Sequence, residues 1–65
     1  MSEQQVIADH KAAGSKAKLM QQYSDEMSAI VKLNGGNISD IPASKDHPYY
    51  VLQHKLQILN RLSLP

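Results

Sequence analysis

The side chains best able to do chemistry are three histidines, and their spacing argues against a metal site. His10, His47 and His54 are the only histidines of the 65-residue chain. Two metal ligands share a helix face when they are three or four residues apart, whereas His47 and His54 are seven residues apart. We therefore expect surface or capping histidines, with neither a metal ion nor a cofactor.

Acidic and hydroxyl side chains form no recognisable catalytic arrangement. A pair such as Asp9 and His10 can transfer protons usefully only in a pocket that shifts a pKa and holds a substrate. The loop Asn34–Asn37 contains two glycines but lacks the lysine and the following Ser or Thr of a phosphate-binding loop. These features predict solvated charges and a turn, so we expect neither an enzyme nor a small-molecule substrate.

Three lysines near a glycine form the pattern that most suggests nucleic-acid binding. Lys11, Lys16 and Lys18 flank Gly14, and a tight turn followed by a basic helix is typical of helix-turn-helix proteins. No arginine stands nearby for base recognition, and the net charge of the chain is only +1. A small dimeric nucleic-acid-binding regulator is therefore an alternative function and not the leading one.

Length and composition limit how the chain can be stable. A chain of 65 residues forms one domain and buries only about 60% of the surface of its unfolded form. Because the sequence has no Cys, Trp or Phe, disulfides are excluded and the core must come from aliphatic residues, methionine and tyrosine. Self-association or a partner protein is the remaining common source of stability.

The first half of the chain predicts a long helix. Good helix formers dominate residues 3 to 33, and no proline interrupts them. Ser2 and Gln5 have the spacing of a capping box at its start. Gly35 and Gly36 predict its end, since glycine accepts the positive φ of a C-terminal cap.

Gly14 and Ser15 leave two interpretations of this segment open. Glycine inside a helix costs about 1 kcal/mol relative to alanine, which one long helix can tolerate with a bend. Glycine can equally end one helix while serine caps the next. We favour one helix over residues 3–33, bent at Gly14.

The most apolar part of the chain predicts a second helix from about Pro48 to Leu62, since proline fits the first helical turn. A connector over residues 34–47 precedes it, in which Ile38 and Ile41 are expected to dock over the end of the core. The predicted fold class is all-α, a single domain over residues 1–65. We expect an antiparallel helical hairpin with a long N-terminal and a shorter C-terminal helix, completed by oligomerisation or a partner.

The second helix carries more apolar surface than one facing helix can cover. One line at helical spacing pairs with the first helix, giving a predicted intramolecular core of Met20, Tyr23, Met27, Ile30, Leu52, Leu56 and Leu59. A second line, one residue away, has no partner. It predicts a protein interface formed by Tyr50, Val51, Lys55, Ile58 and Leu62.

These features favour a noncatalytic protein–protein interaction module, a small subunit of a homo-oligomer or larger assembly. The composition is compatible with a bacteriophage structural or accessory protein, and a small inhibitor of a partner enzyme is a further alternative. No apolar run approaches the roughly 20 residues that span a bilayer, and the first residues are polar and acidic. We therefore expect no membrane segment or signal peptide, and a cytoplasmic protein or a virion component.

Overall fold

The structure is a computed structural model that describes residues 2–65, apart from the side chain of Ser2. The described residues form three α-helices and one short 3₁₀ helix without any β-strand, so this part of the chain is all-α as predicted. Within it, no helix combines the length and apolar character needed to cross a membrane. The capping box predicted at Ser2 lies outside the described residues. The helices are α1 (Ser2–Ala13), α2 (Lys16–Leu33), the 3₁₀ helix (Ile38–Asp40) and α3 (Pro48–Arg61).

The expectation of one long N-terminal helix is wrong, because the chain turns between α1 and α2. Gly14 has a φ of +94°, in the left-handed region that glycine adopts without steric cost. Its amide donates a hydrogen bond to the His10 carbonyl at 2.9 Å and so closes α1. The Ser15 hydroxyl then accepts a hydrogen bond from the Lys18 amide at 3.2 Å and caps α2. The break allows α1 to fold back against both α2 and α3.

The core lies where the three helices meet. Each helix contributes one side chain that is at most 1% exposed: Val6 from α1, Leu19 from α2 and Leu59 from α3. Tyr23 and Leu52 complete this core cluster. Burying an aliphatic side chain of this size contributes about 1.5–3 kcal/mol, so α1 is an integral part of the fold. Half-buried residues that pack around the cluster are Ala13, Met27, Ile30, Leu56, Ile58, Leu62 and Leu64.

Met20 is a correction to the predicted core, since 37% of its area is exposed. The inward line of α2 runs through Leu19 and Tyr23, which are 1% and 3% exposed. Met20 follows Leu19 and therefore points about 100° away from it around the helix axis. It lies at the edge of the core and belongs to the surface.

The connector begins at Asn34, directly after α2, and two glycines follow in the left-handed region. Gly35 and Gly36 have φ values of +123° and +92°. Ile41 is buried at 6% exposure, but Ile38 is 62% exposed and is a second correction to the expected packing. Ile38 lies in the 3₁₀ helix, whose tight turn holds its side chain outside the core.

α3 begins with a histidine cap, one of the two roles expected for the histidines. The His47 Nδ1 accepts a hydrogen bond from the Tyr49 amide at 3.2 Å. Pro48 occupies the first turn, where an amide hydrogen has no partner within the helix. Tyr49 is then buried at 8% exposure, which anchors the start of α3.

Candidate protein interface

One polar cluster joins the three helices. The Tyr23 hydroxyl on α2 donates a hydrogen bond to Asp9 Oδ2 on α1 at 2.6 Å, and Gln5 Nε2 donates to Asp9 Oδ1 at 2.9 Å. The Lys55 ammonium on α3 lies 3.7 Å from Asp9 Oδ2 and 5.9 Å from the centre of the Tyr23 ring. The Asp9 carboxylate therefore holds α1 to both other helices.

Electrostatics in this cluster suit a structural role. Burial raises the pKa of Asp9, but the hydrogen bonds that it accepts and the charge of Lys55 outweigh burial and hold this pKa below its ordinary value. Burial and the bond to Asp9 raise the pKa of Tyr23. At neutral pH the carboxylate is a permanent acceptor and the phenol a permanent donor. Neither group is tuned to exchange a proton near pH 7, as a general acid or base would be.

The three histidines lie apart in the fold. His10 Nε2 is 2.9 Å from the main-chain oxygen of Pro65, His47 caps α3, and His54 is exposed on α3. Among residues 2–65, no three His, Asp or Glu side chains come close enough together to hold a metal ion.

Much of the apolar line predicted as an interface is occupied by the chain itself. Ile58 and Leu62 are half-buried and pack on the core cluster to which Val6 of α1 belongs. Lys55 is paired with Asp9, and only 23% of its side chain is exposed. A single long helix would have left this line open, whereas the break at Gly14 and Ser15 brings α1 against α3. Ile58, Leu62 and Lys55 thus contact the rest of the chain over part of their surface and are half-buried.

Tyr50 and Val51 are the other two members of that line. Tyr50 is half-buried, and its ring makes an edge-to-face contact with Tyr49 at 5.3 Å between ring centres. Val51 is 40% exposed and lines a groove of about 560 Å³ together with Glu26 and Lys55. The charges in this groove make it less suited to an apolar partner than a surface without charges.

The three lysines predicted as possible nucleic-acid contacts differ in how exposed they are. Lys11 and Lys18 are exposed on α1 and α2. Lys16 is half-buried: its amide donates to the Pro65 main-chain oxygen at 2.6 Å, and its ammonium lies 3.5 Å from the Leu62 carbonyl oxygen. One of the three cations is therefore engaged within the fold.

A third of the circumference of α2, about 120°, carries no charged side chain. At 100° per residue, this sector runs along the helix for about 21 Å. We call it the uncharged α2 face, and its residues are Ala17, Met20, Gln21, Ser24, Met27, Ser28 and Val31. The charged residues of α2 all lie outside it: Lys16, Lys18, Asp25, Glu26 and Lys32.

An apolar groove of about 660 Å³ separates this face from α3. Met27 and Val31 line it from α2, and Tyr49 lines it from α3. Ile38 of the 3₁₀ helix adds a side chain that is 62% exposed. Lys32 is the one charged residue in the lining. Together, the uncharged α2 face and this groove form one continuous recess, because Ser24, Met27, Ser28 and Val31 belong to both.

α1 leaves the groove open because it covers a different side of α2. Asp9 of α1 shares a cleft of about 230 Å³ with Glu26 and Leu19 of α2. Glu26 and Ser24 are two residues apart on one helix and so point about 200° apart. The side of α2 that bears Ser24 thus remains uncovered within the described structure.

Comparisons with protein-family models, with curated proteins and with solved structures found no match.

Proposed function

We propose that this protein is a noncatalytic helical interaction module that binds a protein partner through the uncharged α2 face and the adjoining groove. It would act as a subunit of a homo-oligomer or of a larger assembly. The observation that carries the proposal is the absence of charge along about 21 Å of a helix that bears five charged residues elsewhere around its axis. Interface cores are depleted of charged residues and enriched in methionine and aromatic residues, and this recess contains Met20, Met27 and Tyr49.

The shape of the recess suits a partner helix. Ser24 and Ser28 are small and exposed, so a second backbone can approach α2 closely at these positions. Met27 and Val31 supply the apolar floor into which partner side chains at helical spacing would insert. A length of about 21 Å corresponds to about four helical turns, which is enough for a specific helix-in-groove contact.

Two matched substitutions test whether this face binds. Met20 and Ile7 are similar in size and are 37% and 38% exposed, but Ile7 lies on α1, outside the groove. Met20→Asp places a charge in the proposed interface, where its desolvation should weaken association at least about tenfold. Ile7→Asp introduces the same charge elsewhere and should leave association unchanged.

The readouts are the molar mass of the purified chain by light scattering and the proteins it captures from a lysate of its source. Urea unfolding of both variants shows that each is still folded. The proposal predicts that Met20→Asp reduces self-association or removes captured proteins that Ile7→Asp retains. Identical association by the wild type, Met20→Asp and Ile7→Asp would show that the uncharged α2 face is not a binding surface.

The other functions considered have less support from the surface. A small inhibitor of an enzyme would use the same face but would stay monomeric until its target is added. A nucleic-acid-binding regulator would have to rely on Lys11 and Lys18, since Lys16 is engaged with the C-terminal segment. A mobility-shift assay at low salt tests that alternative directly.

A further inference from the structure

Two of the charged residues bordering the uncharged α2 face, Asp25 and Lys32, are complementary to the same border of a second copy. Asp25 and Lys32 are exposed and lie seven residues apart on the same border. They point within about 20° of each other around the helix axis and are separated by about 10 Å along it. Lys18 continues this border seven residues before Asp25, but it lies beyond the stretch in which two antiparallel α2 helices would overlap about Ser28. Within that stretch, the pair of Asp25 and Lys32 matches itself when a second α2 runs antiparallel.

We propose that the partner is a second copy of this chain, with α2 packed antiparallel against α2 about a two-fold axis near Ser28. This inference rests on the proposed binding face and names its occupant. Asp25 of each chain then lies opposite Lys32 of the other, so the dimer gains two equivalent ion pairs.

The apolar side chains fit the same alignment. With the axis near Ser28, the small Ser24 of one chain lies opposite the larger Val31 of the other. Met20 then extends toward Ile38 of the second chain, so that two side chains that are 37% and 62% exposed cover each other. Small residues opposite large ones allow the two helices to approach without a void.

The exposed area is also consistent with a missing partner. The chain exposes 4534 Å² at a mass of 7.2 kDa. Average monomers of this mass expose about 4,100 Å². The difference is about half of the roughly 800 Å² that each partner buries in a standard interface.

Charge exchange at the border tests both the occupant and the alignment. Asp25→Lys alone sets lysine against lysine in the dimer, and Lys32→Asp alone sets aspartate against aspartate. Each substitution should raise the dissociation constant of the homodimer about tenfold, because two exposed attractive pairs become repulsive. The variant carrying both substitutions should dimerise like the wild type. An equimolar mixture of the two single variants should form a heterodimer, since every pair is then attractive again.

Sedimentation velocity of the full chain over a range of concentrations measures these equilibria, and circular dichroism checks that each variant folds. Lys11→Asp, an exposed substitution on α1, is the charge control for Lys32→Asp and should not change association. Added salt should shrink the differences between the single variants and the wild type.

The outcomes separate this inference from the function on which it rests. Dimerisation that the single substitutions weaken and that their mixture restores supports the inference. A dimer that responds to neither single substitution would overturn the proposed alignment. A chain that is monomeric throughout but captures another protein through Met20 would overturn the second copy and leave the binding face intact. If the chain is monomeric and Met20→Asp removes no captured protein, both the second copy and the binding face are overturned.

Discussion

Replacing Tyr23 by phenylalanine should destabilise the protein in a manner that depends on pH. The substitution removes the hydroxyl that donates to Asp9 at 2.6 Å and leaves the buried ring in place. A hydrogen bond to a charged group contributes about 1.5–3 kcal/mol, and Asp9 keeps its bond from Gln5 and its pair with Lys55. We expect Tyr23→Phe to lower the free energy of unfolding by about 2 kcal/mol at neutral pH, or the melting temperature by roughly 8–16 °C.

The pH dependence follows from the pKa of Asp9. This pKa lies below its ordinary value in the folded chain, so on acidification the unfolded chain takes up the proton first. The ionised carboxylate therefore stabilises the fold above the unfolded pKa of about 3.9, and this stability is lost as the pH falls through the lower folded pKa. A protonated Asp9 accepts only a neutral hydrogen bond, worth about 1 kcal/mol. The difference between wild type and Tyr23→Phe should accordingly fall to about half in strong acid.

Urea unfolding followed by circular dichroism at a fixed protein concentration measures both quantities. Tyr50→Phe is the matched control, because it removes the same atom from a tyrosine outside the polar cluster. Equal stability of Tyr23→Phe and wild type at neutral pH would refute the role given to this hydrogen bond. A difference that stays constant between neutral pH and strong acid would refute the part assigned to the Asp9 charge.

Two further predictions concern the helix break and the core. Gly14→Ala should lower the free energy of unfolding, measured in urea, by about 1–2 kcal/mol, because a φ of +94° is strained for any residue with a Cβ. The strain is in the backbone alone, since no atom would lie within 4 Å of the added carbon. An unchanged stability would mean that the turn does not require glycine. Leu59→Ala should lower the free energy of unfolding by about 3 kcal/mol, because truncating a side chain with no exposed area leaves a cavity in the core. A loss below about 1 kcal/mol would show that the three helices do not share one core at Leu59.

The ends of the elements could be predicted where local chemistry decides them. Gly35 and Gly36 terminate α2 because they accept the positive φ that other residues avoid. Pro48 lies at the start of α3 because its missing amide hydrogen costs nothing there. In both cases the physical cause lies within a few residues of the signal.

The division of the first helix could not be decided from local signals, because Gly14 and Ser15 suit a bend and a cap alike. A wider pattern would have decided it. Val6 and Leu19 are 13 residues apart and would point about 140° apart on one continuous helix. Both can face one core only if the helix ends between them, and both are at most 1% exposed.

The interface predicted on α3 depended on the expectation of one long N-terminal helix. With one long helix, the line through Ile58 and Leu62 had no partner and indicated a binding surface. Once α1 is a separate helix, it packs against that side, and Ile58→Asp would damage the fold as well as any assembly. The uncharged face of α2 is visible in the sequence, but the helical spacing of Met20 and Met27 predicts a packed core as readily as a free surface.

The contact between Asp9 and Lys55 also bears on the order in which the chain folds. These residues are 46 positions apart, and closing a longer loop costs more entropy. The contact between Asp9 and Tyr23 of α2 spans only 14 residues, so α1 can meet α2 before α3 docks on both. With Val6 as its one fully buried side chain among residues 3–13, we expect α1 to be the helix that detaches first in local opening of the folded chain. Hydrogen exchange of the α1 amides would then be faster than that of α2 and α3.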